Sequence, residues 1–265
     1  KSLYFVPGLT VMNDNNFAQD ARISIRGVGI RSSFGVRGIK ILVDGVPEST
    51  PDGQAQLDNL DLSFIRSINI FQGANSPLFG NASGGAINFI TFENNKSDAF
   101  EINSSYSANR TTKHTLFTSK SYKNLSYQLN FLSKDHTGYR NHSEMKSHNL
   151  NAIFSLNSKK GELFQLLFNY INSPISNDAG SLTIDEVNED RTIAREKNIL
   201  YEAGEDILKQ KTTLKYKKII NPGFLIDNYI FYLSRRFNNK LPFEIGGQVQ
   251  FDRNYFGIGL SLIHI

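Results

Sequence analysis

The chain has 265 residues, 39% hydrophobic and 20% charged, a balance that is ordinary for folded protein rather than disorder. It contains no cysteine, which excludes a disulfide framework and a Cys-ligated metal centre. The net charge is +4, but the lysines are scattered through predicted loops and strand ends, which argues against nucleic-acid binding.

Residues 1 to about 95 predict a small α+β domain with irregular, glycine-rich connections. Runs such as IKILV and AINFI are apolar at successive positions, as in strands that are covered on both faces. Pro77 suits the first turn of a short helix that ends at Gly80, and Leu57 to Leu62 suggest another helical turn. The four strands predicted here are Ile23 to Arg26, Ile39 to Val43, Ile65 to Phe71 and Ala86 to Phe92.

From about residue 97 onward, apolar and polar residues alternate with period two. Leu125, Tyr127 and Leu129 alternate with Ser126, Gln128 and Asn130, so one face of such a strand is apolar and the other polar. We count about eight strands of this kind. Their lengths are close to the roughly 9 to 11 residues that a transmembrane β-strand needs. They are Phe100 to Tyr106, Thr115 to Tyr122, Leu125 to Phe131, Leu150 to Leu156, Leu163 to Ile171, Leu208 to Ile219, Leu225 to Arg236 and Val249 to Gly259.

The connections between these strands alternate in length, apart from a modest first loop near Arg110 to Lys113. Short links are predicted at Lys123-Asn124, Ser158 to Gly161 and Ile220 to Gly223. Long links are predicted at Asp135 to Ser147, Asn172 to Ile207 and Phe237 to Gln248. This asymmetry is typical of an antiparallel transmembrane β-barrel, with short periplasmic turns and long extracellular loops. A soluble β-sandwich is the alternative, but it has no reason to keep every second connection short.

Four sequence motifs in the N-terminal segment point to a family. IRG at 25–27, LVDGVP at 42–47, QGANSPLFG at 72–80 and GGAINFIT at 84–91 resemble, in order and spacing, the plug domain of TonB-dependent outer-membrane receptors. The resemblance implies an N-terminally truncated plug at 1–95, inside the lumen of a barrel of roughly 22 strands. About eight of those strands would lie at 96–259. Leu260 to Ile265 look like a sequencing-library scar; the alternative is the end of a strand.

The same resemblance implies active import of a scarce solute across the bacterial outer membrane. The partners would be the TonB-ExbB-ExbD complex, through a TonB box ahead of residue 1, the small-molecule ligand and outer-membrane lipid. No cofactor or nucleic acid is expected. The chain has no GxSxG, HExxH or P-loop motif, so an enzyme is not expected. The alternatives are a passive or structural barrel and a glycan-importing receptor.

Candidate ligand-binding residues follow from the type of receptor. The stretch from Arg31 to Gln56 is most similar to receptors for pyrroloquinoline quinone, and GQAQ at 53–56 also resembles the ferric citrate receptor. Both ligands are small polyanions, which the planar fork of arginine matches. The candidates are Arg31, Phe34, Arg37, Asp52, Gln54 and Gln56, with Tyr139 and Arg140 from a long loop. Turn formation and capping are the alternative for Asp52 and the two glutamines. For Arg31 and Arg37 the alternative is a pairing with barrel glutamates, which the resemblance also implies.

Two further sets of residues receive structural interpretations. Arg26, in the IRG motif, is predicted to lock the plug to the barrel, because plug arginines in this family commonly pair with barrel glutamates. His142, Glu144 and His148 have no compact metal-ligand spacing, so no metal site is predicted.

Overall fold

The computed structural model describes residues 2–12, 16–19, 21–32, 35–55, 57, 60, 62–91 and 98–264. The chain forms two compact units, Lys1–Asn94 and Asn95–Ile265. In the described ranges, no helix is both long enough and apolar enough to cross a membrane.

The N-terminal unit is a mixed α+β structure. A 3₁₀ turn at Ser2–Phe5 precedes an antiparallel pair, β1 (Leu9–Met12) with β2 (Arg22–Ile25). A second sheet has the order β4-β3-β6-β5. Its strands are β3 (Ile39–Val43), β4 (Val46–Pro47), β5 (Ser67–Gln72) and β6 (Gly85–Ile90), accompanied by a 3₁₀ turn at Leu62–Phe64 and helix α1 (Ser76–Phe79).

The core of this unit explains its apolar runs. β3 pairs in parallel with β6, so that Ile41 lies opposite Ile87 and Val43 opposite Phe89. All four side chains are buried. Burial of each such side chain stabilises the fold by about 1.5–3 kcal/mol. The prediction that IKILV and AINFI are covered on both faces is therefore confirmed.

The four predicted N-terminal strands are present with shifts of one or two residues, while β1 and β4 were not predicted. β1 (LTVM) is too short to show a periodic pattern. β4 has only two residues and follows the Asp44-Gly45 turn. Both turn residues have positive φ, 51° and 79°, as a two-residue hairpin turn of type I′ requires. Phe92 of the predicted last strand and residues 58, 59 and 61 of the predicted turn lie outside the described residues.

The second unit is one antiparallel sheet of eight strands in chain order. Each strand pairs only with its sequence neighbours, which confirms the predicted number and arrangement. The strands are β7 (Ala99–Ser107), β8 (Thr111–Tyr122), β9 (Leu125–His136), β10 (Met145–Asn157), β11 (Glu162–Asn177), β12 (Gly204–Asn221), β13 (Phe224–Lys240) and β14 (Gln248–His264). Leu260 to His264 continue β14 and pair with residues 224–228 of β13. Their origin as a scar stays a prediction.

Several of these strands are longer than expected, up to 18 residues in β12. The additional residues lie mainly at the ends next to the long loops, where cross-strand pairing continues after the apolar alternation has stopped. In β11, for example, Asn172 and Ser173 still pair with β12. The long connections are correspondingly shorter than predicted, and they span residues 137–144, 178–203 and 241–247.

Cross-strand register separates the sheet into two faces. Phe154 lies opposite Leu166, which lies opposite Leu214 on the next strand. We call this side, continued by Ile230 and Ile258, the apolar face. The residues between them form the polar face, where Gln165 Nε2 donates to Ser155 Oγ at 3.0 Å. The predicted alternation is thus confirmed.

Candidate ligand-binding site

Three of the predicted ligand-binding residues meet at the surface of the N-terminal unit. Arg37 Nη1 donates to the backbone oxygen of Asp52 at 3.1 Å. Arg37 Nη2 donates to Asp52 Oδ2 at 3.2 Å and to Gln54 Oε1 at 3.1 Å. The side chains of Arg37 and Asp52 are each 49% exposed. This group, the Arg37 cluster, therefore presents a guanidinium, a carboxylate and an amide to solvent.

Backbone pairing between two loops positions the cluster. Val36 N donates to Ala55 O at 2.7 Å, and Ala55 N donates back to Val36 O at 2.9 Å. Both residues are fully buried, so this bridge anchors the loop that carries Asp52 and Gln54 next to Arg37.

The loop itself is closed by Thr50. Its backbone N–H donates to Gln54 O at 2.7 Å, and its hydroxyl donates to Asp52 Oδ1. Gly53 between them has φ 82°, and a Cβ there would lie 2.1 Å from Asn81 Nδ2. The turn and capping chemistry that the sequence suggested for Asp52 is therefore present beside its contact with Arg37.

The small energy of the Arg37–Asp52 pair permits exchange of partners. An exposed ion pair contributes only about 0–1 kcal/mol, because both charges remain hydrated. A carboxylate from a ligand offers the same planar geometry as Asp52, so it can replace Asp52 on the guanidinium at small cost. Gln54 can then donate to the ligand through its amide nitrogen. The cluster is thus suited to bind a small carboxylated molecule.

The remaining predicted residues of the N-terminal unit do not complete the site. Arg31 is exposed and, within the described ranges of this unit, its side chain has no hydrogen-bond or ion-pair partner. Phe34 and Gln56 lie outside the described residues. Binding roles for Arg31, Phe34 and Gln56 therefore stay predictions.

Arg26 lies in a tight turn between the apolar residues Ile25 and Val28. Its φ is 48°, and its backbone N–H donates to Gly8 O at 2.7 Å. The side chain is exposed and has no partner in the described part of the N-terminal unit. The geometry leaves the guanidinium available for a contact, and its role as a lock stays a prediction.

In the second unit, Arg140 joins two long loops. Its guanidinium donates three hydrogen bonds to backbone carbonyls of the 178–203 loop, from Nε to Ile193 at 2.9 Å, from Nη1 to Gly180 at 2.5 Å and from Nη2 to Ala179 at 3.0 Å. Neighbouring Tyr139 is 56% exposed. These contacts give Arg140 a structural role, and ligand binding by Arg140 and Tyr139 stays a prediction.

Other residues of the 137–144 loop reinforce this junction. His142 Nε2 lies 2.8 Å from Ala203 O, and Asn177 Nδ2 donates to Glu144 Oε2 at 2.8 Å. Sequence reasoning missed the junction because most of its acceptors are backbone carbonyls, which carry no residue-type signature. In the part of the chain that the structure describes, no three His, Cys, Asp or Glu side chains are placed to hold a metal.

The long loops are acidic. Loops 137–144, 178–203 and 241–247 contain nine carboxylates and four Lys or Arg side chains. Hydrogen bonds from the backbone and hydroxyl of Thr183 lower the pKa of Glu186, and a hydrogen bond from Lys240 lowers the pKa of Glu202. These carboxylates are charged at neutral pH, so any attraction for an anionic ligand must come from local groups such as Arg37.

Residues 1–87 match the family model of the TonB-dependent receptor plug domain. The pesticin receptors of Yersinia enterocolitica and Yersinia pestis are 35% identical over 88 residues, which is 32% of this chain and 12% of those proteins. The chain therefore spans only a small part of the curated relatives that it matches.

Solved structures extend the similarity to the strands. The ferric citrate transporter FecA, in its unliganded form, is 20% identical with a TM-score of 0.81, over 98% of this chain and 40% of that one. The ferric yersiniabactin uptake receptor FyuA of Yersinia pestis is 16% identical with a TM-score of 0.78, over 97% of this chain and 41% of that one. Residues 1–87 therefore match a TonB-dependent receptor plug domain, and the chain shares the fold of FecA and FyuA over the aligned parts of those chains, with eight antiparallel strands after residues 1–94.

Proposed function

We propose that this chain is the plug and the first part of the barrel of an outer-membrane receptor that imports a small anionic chelate or cofactor by TonB-dependent transport. The single observation that carries the proposal is the Arg37 cluster, exposed on a domain that matches the plug family. Its partners would be the TonB-ExbB-ExbD complex, the ligand and the lipid of the bacterial outer membrane.

The choice of ligand class rests on the chemistry of the cluster. Arg37 already holds one carboxylate and one amide oxygen, and the pair with Asp52 is exposed enough to exchange. Arg31 would supply a second cation with no competing partner in the described part of its unit. Pyrroloquinoline quinone and ferric citrate are the two specific candidates, and a siderophore that carries carboxylates is the broader class.

Two related functions differ from this proposal in what they require. A passive or structural barrel has no use for a folded N-terminal domain that matches a plug. A glycan-importing receptor would need stacking and neutral hydrogen bonding rather than a guanidinium paired with a carboxylate. The Arg37 cluster therefore favours the anionic ligand.

Equilibrium binding by calorimetry tests the proposal. The receptor that contains this chain would be purified in neutral detergent and titrated with pyrroloquinoline quinone and with ferric citrate. The double variant Arg31→Ala, Arg37→Ala is expected to lose at least tenfold in affinity, because each hydrogen bond to a charged group contributes about 1.5–3 kcal/mol.

The control is Arg66→Ala, which also removes an arginine from the N-terminal unit but lies away from the 49–55 loop in sequence. It is expected to bind like the wild type. If neither anion binds and a neutral glycan does, the anionic ligand class is wrong while the plug fold stands. If the double variant binds either anion as tightly as the wild type, the Arg37 cluster is not the site.

A further inference from the structure

A groove of about 550 Å³ crosses the apolar face of the sheet near the three short turns. Side chains from neighbouring strands line it, including Phe154, Phe164, Leu166, Leu214, Ile230 and Ile258. Each of these six is between 38% and 62% exposed, so the groove is open along its length. An occupant must be apolar over most of its surface.

Polar groups lie at the end of the groove that faces the short turns. The Asn228 side chain is half-buried between Tyr216 and Leu260, and in residues 98–264 it has no hydrogen-bond partner. On the same face, Lys218 Nζ forms an ion pair with Glu162 Oε1 at 2.9 Å. An occupant that offers a hydrogen-bond acceptor at this end would satisfy the Asn228 amide, which otherwise faces apolar neighbours.

Charge at this end of the sheet is positive. Six lysines lie within five residues of the short turns at 123–124, 158–161 and 222–223. They are Lys120, Lys123, Lys159, Lys160, Lys217 and Lys218. Three carboxylates oppose them, Asp98, Glu162 and Asp227. The long loops at the other end carry the excess of carboxylates described above. A negatively charged group is therefore attracted to the short-turn end and repelled from the long loops.

We propose that this groove binds one anionic phospholipid of the membrane leaflet at the short-turn end. The acyl chains lie along Leu166, Leu214 and Ile230, and the phosphate lies near Lys218 and accepts a hydrogen bond from the Asn228 amide. An extended protein segment is a poorer fit, because its backbone N–H and C=O groups would lie unpaired against an apolar wall. The inference rests on the proposed location in the outer membrane, but not on the proposed ligand.

Substitution of either residue of the Glu162–Lys218 pair is expected to change retention of the lipid, in opposite directions. Lys218→Gln removes the cation and leaves Glu162 to repel the phosphate, so retention of the lipid falls. Glu162→Gln leaves Lys218 without its partner carboxylate, so retention rises. The change expected from one cation near an anionic lipid is about fivefold in each direction.

Native mass spectrometry of the receptor that contains this chain provides the measurement. The protein would be titrated with phosphatidylglycerol and with phosphatidylcholine of the same acyl chains. The wild type is expected to retain one phosphatidylglycerol in preference to phosphatidylcholine. Lys240→Gln is the matched control, since Lys240 pairs with Glu202 beside the long loops and its loss is expected to change nothing.

The groove itself is tested by Leu214→Trp, which fills it from the exposed apolar face and is expected to abolish the preference. Equal retention of the two lipids by the wild type would overturn the proposal. So would changes of the same sign in Lys218→Gln and Glu162→Gln, or a preference that survives Leu214→Trp. None of these outcomes depends on binding of pyrroloquinoline quinone or ferric citrate, so the two proposals fail separately.

Discussion

The carboxylate of Asp44 accepts two hydrogen bonds from Thr91, one from its backbone N–H at 2.8 Å and one from its hydroxyl at 2.5 Å. Asp44 belongs to LVDGVP and Thr91 ends GGAINFIT, so the contact joins the two motifs through residues that are 47 positions apart in the chain. This junction fixes the end of β6 to the turn after β3.

Asp44→Ala is expected to loosen this junction. A hydrogen bond to a charged group contributes about 1.5–3 kcal/mol, so amide exchange in β3 and β6 should accelerate by at least tenfold. Asp44→Asn is the control, because asparagine tolerates positive φ and keeps one acceptor. Hydrogen–deuterium exchange of the receptor checks this, and equal protection in Asp44→Ala and the wild type would contradict it.

Gly85 is expected to tolerate no side chain. Its φ is 136°, and a Cβ there would lie 2.2 Å from the backbone oxygen of Phe71, on the strand that pairs with β6. Gly85→Ala must therefore separate β5 from β6, and we expect a low yield of folded protein. Gly80→Ala, at φ 69° but with open space around the Cβ, is expected to cost only about 1–2 kcal/mol, the cost of a left-handed backbone at alanine, and to retain most of the yield. Similar yields for the two variants would refute the steric explanation.

Arg140→Ala is expected to release the 178–203 loop from the 137–144 loop. Three backbone carbonyls lose their donor, at about 1.5–3 kcal/mol for a hydrogen bond to a charged group, so exchange in residues 178–195 should accelerate at least tenfold. Arg191→Ala removes an exposed arginine of the same loop and is expected to leave exchange unchanged. Ligand affinity separates a structural role of Arg140 from a binding role. If Arg140 is purely structural, Arg140→Ala changes loop protection more than ligand affinity, whereas loss of a direct contact lowers the affinity itself.

Helix α2 (Ile184–Glu189) should be sensitive to acid. Thr183 and Glu186 form a capping box, and the hydrogen bonds from Thr183 lower the pKa of Glu186. A carboxylate with a lower pKa in the folded than in the unfolded state stabilises the fold above its unfolded pKa, and this contribution is lost as pH falls through the folded pKa. Exchange in residues 184–189, corrected for intrinsic rates, is therefore expected to rise below about pH 4.5.

Glu186→Gln keeps the hydrogen bond of the capping box but cannot titrate. Its corrected exchange rates should be independent of pH over the same range. An equal acid response in this variant would assign the effect to another group, such as Asp190, whose pKa is also lowered by hydrogen bonds from Thr192.

The sequence predicts the strands where apolar residues follow one another directly or alternate regularly with polar ones. IKILV indicated a buried strand at the positions of β3, because five successive apolar or amphipathic residues leave no exposed face. Alternation indicated the central parts of all eight strands in the second unit. It did not indicate their ends, since residues such as Asn172 and Ser173 are held by pairing with β12 rather than by burial of an apolar side.

The candidate site was predictable in composition but not in geometry. Arginine and glutamine in glycine-rich loops suggested Arg37, Asp52 and Gln54, and the structure brings these three together. The bridge that unites their loops is formed by backbone atoms of Val36 and Ala55, which no side-chain pattern encodes. Arg140 was predicted at a ligand, and its guanidinium donates to backbone carbonyls of the 178–203 loop, which are acceptors that no residue type in the sequence marks. Its role in ligand binding stays a prediction.

The pairing of β3 with β6 also bears on the order of folding. Residues 39–43 pair with residues 85–89, so this contact must close a loop of more than 40 residues before it forms. Each strand of the eight-stranded sheet, in contrast, pairs with its sequence neighbour and can form hairpin by hairpin. The N-terminal unit is synthesised first, but its central sheet depends on contacts between distant residues and is expected to fold more slowly. The hairpins of the eight-stranded sheet can therefore form before that central sheet is complete.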